Sequence, residues 1–415
     1  MRNLFTLAAL VFASVNAAGQ VTAIRAGRVV DPEAGTAAEN QVILVEGGKV
    51  KAVGGGLQIP AGASVIDLSR STVMPGLFDA HTHLCMTVDM QRDAGNYYYT
   101  TLNDPDSFRS VQGVANARAM LEAGFTTVRD VGNEGNHACT SLRRGIERGL
   151  VVGPTLINAG RIIAPLGGQF HLQPDKPALA EPEYRFADSR DEMRRAVREN
   201  AHFGARVIKI VVDDQPYVYT ADDIRFMVEE ARRAGLKLAA HAWTKEGAHN
   251  AAEAGVASIE HGNGISDEDL RLAKQNGVTM VFTPFPEWVL KEFRRGPGRA
   301  EAEYRQEIDR LSSAYKLGVP IAFGTDAIHD LPKYTRGTQA MMWIDSYTAA
   351  GVTPRDLLRM MTTNAARLLG VERERGALRP GLAADLIATP ANPLEDINTL
   401  KQVSFVMKDG VVIKQ

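Results

Sequence analysis

From about residue 75 to 370 the chain alternates short apolar runs with amphipathic stretches, and this alternation restricts its fold more than any other feature of its 415 residues. Runs at 73–80, 126–131, 155–164, 207–212, 237–242, 258–261, 279–283 and 321–325 are largely apolar and mostly lack the polar alternation of a strand with one wet face. They read as strands of a parallel sheet covered on both sides. Between them, Ile224, Met227, Val228, Ala231 and Ala234 recur at helical spacing after a capping pair, Thr220 and Asp223. Thr353-Pro354 opens another stripe through Leu357, Met360, Met361, Ala365 and Leu368. Eight such units predict an α/β protein whose main domain, 74–377, is a (β/α)8 TIM barrel with its chemistry at the carboxyl ends of the strands.

The two ends have a different texture. Short β-branched runs separated by Glu46-Gly47-Gly48 and Gly54-Gly55-Gly56 fill the stretch before the first barrel strand, and similar runs return after residue 384. They predict a small discontinuous β-sandwich domain built from both chain ends, residues 18–73 and 378–415. Ahead of it, Arg2, an apolar stretch from Leu4 to Val15 and the small residues Val15-Asn16-Ala17 read as a signal peptide, 1–17, cleaved after Ala17. The expected location is therefore periplasmic or secreted, with no membrane span in the mature form.

A formal net charge of -2 and the lack of a long basic block argue against nucleic acid, which leaves a small molecule as the expected partner. Two cysteines, Cys85 and Cys139, exclude a disulfide scaffold and leave a single bridge open. Homo-oligomerisation is open as well.

Polar residues at the strand ends carry the chemistry. His81 and His83 close the first strand; residues two apart share a face, so both imidazoles leave it side by side, as the first two nitrogen ligands of a divalent metal must. His241 ends 238–241, His261 ends 258–261 and Asp326 follows 321–325. Lys209 lies within Val207-Ile208-Lys209-Ile210-Val211, where an unpaired ammonium is costly, so it needs a partner or a chemical change. Together these residues have the make-up of a polynuclear metal site.

With these residues in view the chain resembles the amidohydrolase superfamily over nearly all of its mature length. The resemblance rests on Met74-Pro75-Gly76-Leu77 before the histidine pair, Thr127-Val128-Arg129-Asp130, Ile259-Glu260-His261-Gly262, Gly324-Thr325-Asp326 and Pro380-Gly381-Leu382-Ala383-Ala384-Asp385-Leu386. It is nearest the bacterial branch called prolidase-like or imidazolonepropionase-like, with its dipeptidases, carboxypeptidases and ochratoxin-type amide hydrolases. The resemblance implies two divalent metal ions, usually zinc, bridged by a carbamate that carbon dioxide forms on Lys209. It assigns His81, His83 and Asp326 to the more buried metal and His241 with His261 to the more exposed one. A bridging hydroxide would be the nucleophile, and Asp326 would take its proton and pass it to the departing amine. Deaminases and true imidazolonepropionases of the superfamily lack this lysine and carry a glutamate where this chain has Thr244, so the binuclear hydrolases are favoured.

The resemblance implies an amide substrate, a dipeptide or N-acyl amino acid. The alternative is hydrolysis of esters, lactones or organophosphates at the same centre. A non-catalytic scaffold is disfavoured because no ligand is missing. In the loop Pro165-Leu166-Gly167-Gly168-Gln169-Phe170-His171, His171 is the expected group for polarising the scissile carbonyl, although it stands two residues later than in relatives. In Asp213-Asp214-Gln215-Pro216-Tyr217-Val218-Tyr219, Tyr219 is the expected binder of a substrate carboxylate, and the two aspartates are candidates for attracting a cationic group or simply solvated loop charges.

Overall fold

A computed structural model describes residues 21–293 and 298–415. The stretch read as a signal peptide lies outside the described residues. Among those described, no helix is long and apolar enough to cross a membrane.

Both chain ends meet in one seven-stranded sheet, in the order Val411–Lys414, Phe405–Lys408, Leu386–Thr389, Ser64–Pro75, Thr22–Asp31, Thr36–Glu46 and Lys49–Gly55. The hydrogen bonds join all seven strands in a continuous order that contains strands from both chain ends. Ser64–Pro75 is why: at 12 residues it is long enough to pair in parallel with Thr22–Asp31 along one edge and antiparallel with Leu386–Thr389 along the other. Ile24, Ile43, Val73, Leu386 and Phe405 bury a common core on it. The strand runs to Pro75, and the first central strand, Leu77–Thr82, starts after a single intervening residue. Gly76 is the hinge, and a side chain there would meet Thr126 Oγ1 at 2.2 Å.

Seven of the eight expected central runs carry parallel strands, the run over 321–325 does not form one, and the ladders stop short of a closed ring. Leu77–Thr82, Phe125–Asp130 and Thr155–Asn158 form one sheet. Tyr184–Phe186, Ile162–Ala164, Ile208–Val211, Leu238–Ala242, Ser258–His261 and Thr279–Val281 form another. The run expected as one strand over 155–164 is broken near Gly160, whose φ is +72°. Its first half pairs back to Phe125–Asp130 and its second half forward to Ile208–Val211. On the other side, 321–325 touches its neighbour through a single bridge, Met280 to Ile321. Phe323 N–H bonds the Met360 carbonyl at 3.1 Å and Phe78 N–H the Met361 carbonyl at 2.8 Å, so the end of a helix takes donors that a ladder would use.

That use of carbonyls also divides the last apolar stripe. The stripe from Leu357 to Leu368 lies on two helices, Pro354–Met360 and Thr363–Leu369, broken at Thr362. Thr353 caps the first and Thr220 caps Ala221–Arg233, each accepting the N–H three residues on. A long helix, Arg299–Leu317, precedes the run at 321–325.

Candidate metal centre

His81 and His83 leave the end of Leu77–Thr82 with their Nε2 atoms 3.3 Å apart. Each far nitrogen is already held. His81 Nδ1 donates to Glu260 Oε2 at 2.7 Å, and His83 Nδ1 donates to the Gly132 carbonyl at 2.7 Å. A proton fixed on Nδ1 leaves the Nε2 lone pair free for a cation, the arrangement that second partners impose on metal-binding histidines. Burial pushes His81 well below the ordinary imidazole range, which keeps it the neutral ligand.

Glu260 is itself gripped from the other side, where Arg129 Nη2 donates to its Oε1 at 2.7 Å and Arg129 Nε to the Ala80 carbonyl at 2.6 Å. Both side chains are buried. The sequence carried the signal: an acid and a base inside separate apolar strands must find each other or pay the full desolvation cost.

Asp326 closes this first group, with Oδ1 at 3.0 Å from His83 Nε2 and 3.9 Å from His81 Nε2. Burial works against its ionisation, but contact with His83 wins and holds the carboxyl down at about 2; Asp326 in turn holds His83 up despite its own burial. Asp79 ties the two ligand-bearing ends together, accepting His81 N–H, Thr325 N–H and Thr325 Oγ1–H at 3.1, 3.2 and 2.7 Å. Gly324 lets them approach, because a side chain there would meet Val281 Cγ1 at 2.3 Å and His81 Cβ at 2.9 Å.

His241 and His261 lie beside the first pair. The His261 ring centroid is 4.8 Å from that of His81 and 4.8 Å from that of His241, and its Nδ1 pairs with Thr283 Oγ1 at 2.8 Å. Burial holds His261 well below its ordinary range too. His261 and Asp326 both have left-handed backbones, with φ +63° and +55°; such strain in residues other than glycine marks positions where side-chain direction matters more than backbone comfort. Lys209 is 3% exposed, and none of the described hydrogen bonds or ion pairs uses its Nζ. Burial brings its ammonium down to about 8.

Five side chains expected as ligands thus converge, and their chemistry fits divalent metal: imidazoles with oriented lone pairs and a carboxylate, with Lys209 buried in the neighbouring strand Ile208–Val211. His81, His83 and Asp326 have ligand atoms close enough together to hold one cation.

The expected substrate residues fare differently. Tyr219 is fully buried and its hydroxyl donates to the Ala187 carbonyl at 2.6 Å, so it packs under the helix that follows and cannot meet a substrate carboxylate. His171 is exposed and enters none of the described hydrogen bonds or ring contacts. Gly167 and Gly168, both with positive φ, fold the loop so that Gln169 reaches inward, its Nε2 donating to Asp214 Oδ2 at 2.9 Å. The two aspartates divide. Asp213 is buried, accepting Trp243 N–H at 2.9 Å, Thr244 N–H at 2.7 Å and Thr244 Oγ1–H at 2.7 Å. Thr244, the position of the deaminase glutamate, is thereby committed to capping Lys245–Ala254. Asp214 instead places Oδ2 2.9 Å from His241 Nε2; although burial opposes it, that neighbour holds the carboxyl at about 2. Trp243 lies nearly parallel to His241, centroids 6.1 Å apart, and is 44% exposed, so it walls the opening.

The described disulfide joins Cys85, two residues beyond His83, to Cys139 on the helix Ala138–Glu147.

Parallel strands that gather imidazoles, carboxylates and a lysine at their carboxyl ends define an α/β enzyme of the metal-ligating kind. The amidohydrolase family model matches residues 72–413, and the chain belongs to that family of hydrolases acting on carbon–nitrogen bonds. It is similar to the ochratoxinase of Aspergillus niger, 29% identical over 98% of this chain and 89% of that protein. A solved Xaa-Pro dipeptidase with methionine bound in its active site superposes with a TM-score of 0.85 at 29% identity, covering 95% of this chain and all of that one. A prolidase solved with N-methylphosphonate-L-proline gives 0.81 at 27% identity, over 95% of this chain and 100% of that one.

Proposed function

We propose that this protein is an exported, binuclear metal-dependent amidohydrolase that cleaves the amide bond of a dipeptide or an N-acyl amino acid. The observation that carries this reading is the meeting of His81, His83 and Asp326 with His241 and His261, together with a buried Lys209 that none of the described hydrogen bonds uses. Amide-cleaving relatives of similar length support the reaction class. The Cys85–Cys139 bridge favours an oxidising compartment, in keeping with export.

Bound divalent ions would supply a water of lowered pKa and polarise the scissile carbonyl. The chain's residues do the rest. Lys209, with its amine close to neutrality, is the group able to take up carbon dioxide as a carbamate and so replace a buried cation by an anionic ligand. Asp326 is ionised at working pH and partly open to the cleft, which suits it to accept the proton of the attacking water and return it to the departing nitrogen. Glu260 and Thr283 hold the two imidazoles in the required orientation. Trp243 covers one wall of the site and limits water on that side.

The test is metal analysis together with hydrolysis of a panel of dipeptides and N-acyl amino acids by zinc-loaded protein. Two equivalents of metal and turnover of amides are expected. Inactivity on the whole panel alongside turnover of lactones, esters or phosphotriesters would transfer the same centre to that chemistry.

A further inference from the structure

We infer that Asp214 is a seventh protein ligand, belonging to the more exposed of the two metal positions. This rests on the binuclear reading above and deepens it.

Asp214 Oδ2 lies 2.9 Å from Nε2 of His241, a spacing close to the 3.0 Å between Asp326 Oδ1 and His83 Nε2 in the first group. The contact is not an ordinary hydrogen bond. His241 Nε2 is buried and has no partner in hydrogen-bonding geometry, although a carboxylate oxygen stands at bonding distance. Two donor atoms drawn together without a proton aligned between them are the pattern of two ligands awaiting one cation. His241 is 6% exposed, so water does not explain the orphaned nitrogen.

Asp214 is also built to stay there. Its φ of +85° is a left-handed conformation unusual for a residue other than glycine, and it turns away from the extended course of Ile208–Val211. Gln169 Nε2 donates to the same Oδ2 at 2.9 Å, and Tyr184 Oη–H donates to Gln169 Oε1 at 2.8 Å. Gln215, the next residue, donates to the Gly168 carbonyl at 2.9 Å. Two loops from separate strands are therefore clamped together around one carboxylate, and the amide of Gln169 fixes it as a second partner fixes a metal-ligating oxygen.

Charge gives the same answer. Two divalent cations bring four positive charges into a buried site, where Asp326, a carbamate on Lys209 and one hydroxide would return three. His241 and His261 are neutral ligands, so the Asp214 carboxylate beside them would supply the fourth negative charge, on the side whose only other anions are shared.

Zinc titration of the full chain, read by equilibrium dialysis and by the visible spectrum of the cobalt-substituted protein, tests this without recourse to turnover. Wild type is expected to bind two equivalents. Asp214→Asn should keep the first unchanged, bind the second at least about tenfold more weakly, and alter the spectrum of the second cobalt only. Gln169→Leu, which removes the clamp and no charge, should weaken the second equivalent by a smaller factor and so supports the assignment independently of how the first variant folds. Two equivalents bound by Asp214→Asn with wild-type affinity and spectrum would overturn the inference and leave the binuclear centre standing. Fewer than two equivalents bound by wild type would remove both.

Discussion

His81 and Glu260 are joined through Nδ1 and Oε2 at 2.7 Å, so the carboxylate that orients the first metal-facing imidazole is the same one that neutralises Arg129 inside the strands. Ligand geometry and core stability share a side chain. Glu260→Gln keeps the shape but leaves the Arg129 guanidinium facing a neutral amide in a buried site. The expected result is a 10- to 100-fold loss of zinc affinity, in the range known for second partners of metal-binding histidines. A lowered melting temperature of the metal-free protein should accompany it, because breaking a buried ion pair from one side costs roughly 3–5 kcal/mol. Metal titration and thermal melts of the same preparation check both.

Lys209 makes stability depend on pH in a window that can be stated. Its ammonium is held at about 8 in the folded chain against 10.5 in the unfolded one. Between those values the unfolded chain binds a proton that the folded chain does not, so stability of the metal-free, carbonate-free protein rises from pH 8 to 10.5 and flattens outside it. The gain approaches about 3 kcal/mol at the upper limit. Lys209→Met should lack this increment, and urea unfolding of both proteins at pH 8 and pH 10 isolates it from other groups that titrate there. The same amine should load faster at higher pH: metal uptake in bicarbonate is expected to quicken from pH 7 to 9 in wild type and to fail at every pH in the variant.

Tyr219→Phe separates a packing role from a binding one. The buried hydroxyl bonds the Ala187 carbonyl, and deleting it should cost about 1 kcal/mol of stability. With no path to the cleft, the side chain should leave KM and kcat as they are. A rise in KM confined to substrates with a free carboxylate would restore it to the substrate site.

The sequence was most legible where one residue type has few uses. Imidazoles two apart at the end of an apolar run, and a lysine inside another, left little besides a metal site, and the fold brings those residues together. The loops were less legible because their reach depends on backbone turns. Nothing in Gly167-Gly168-Gln169-Phe170-His171 says that two positive-φ glycines will send Gln169 inward and leave His171 exposed. The orientation of Tyr219 is illegible for a related reason: a tyrosine just before a helix cap can face either the cleft or the core, and alternation along an irregular loop does not choose between them. The broken strand over 155–164 shows a third limit, since Asn158-Ala159-Gly160 holds the chemistry of a kink within an otherwise continuous β-branched run.

The disulfide lies close enough to the histidine pair for its removal to be felt there. Cys85 follows His83 by two residues, and its carbonyl accepts Arg109 Nε–H at 2.9 Å while the Leu84 N–H bonds Asp130. The bridge closes 54 residues of chain that include the second central strand, for which loop-closure entropy gives roughly 4 kcal/mol. Replacing both cysteines by alanine should lower unfolding stability by about 2–4 kcal/mol and make the melting temperature indifferent to reductant, whereas wild type should lose stability when reductant is added. Because Glu260 and Gly132 hold the histidine pair from other segments, zinc affinity of the folded double variant is expected to fall far less than in Glu260→Gln. A loss of metal equal to that of Glu260→Gln, with little change in unfolding, would mean that the bridge sets ligand geometry directly and not the stability of the loop that carries it.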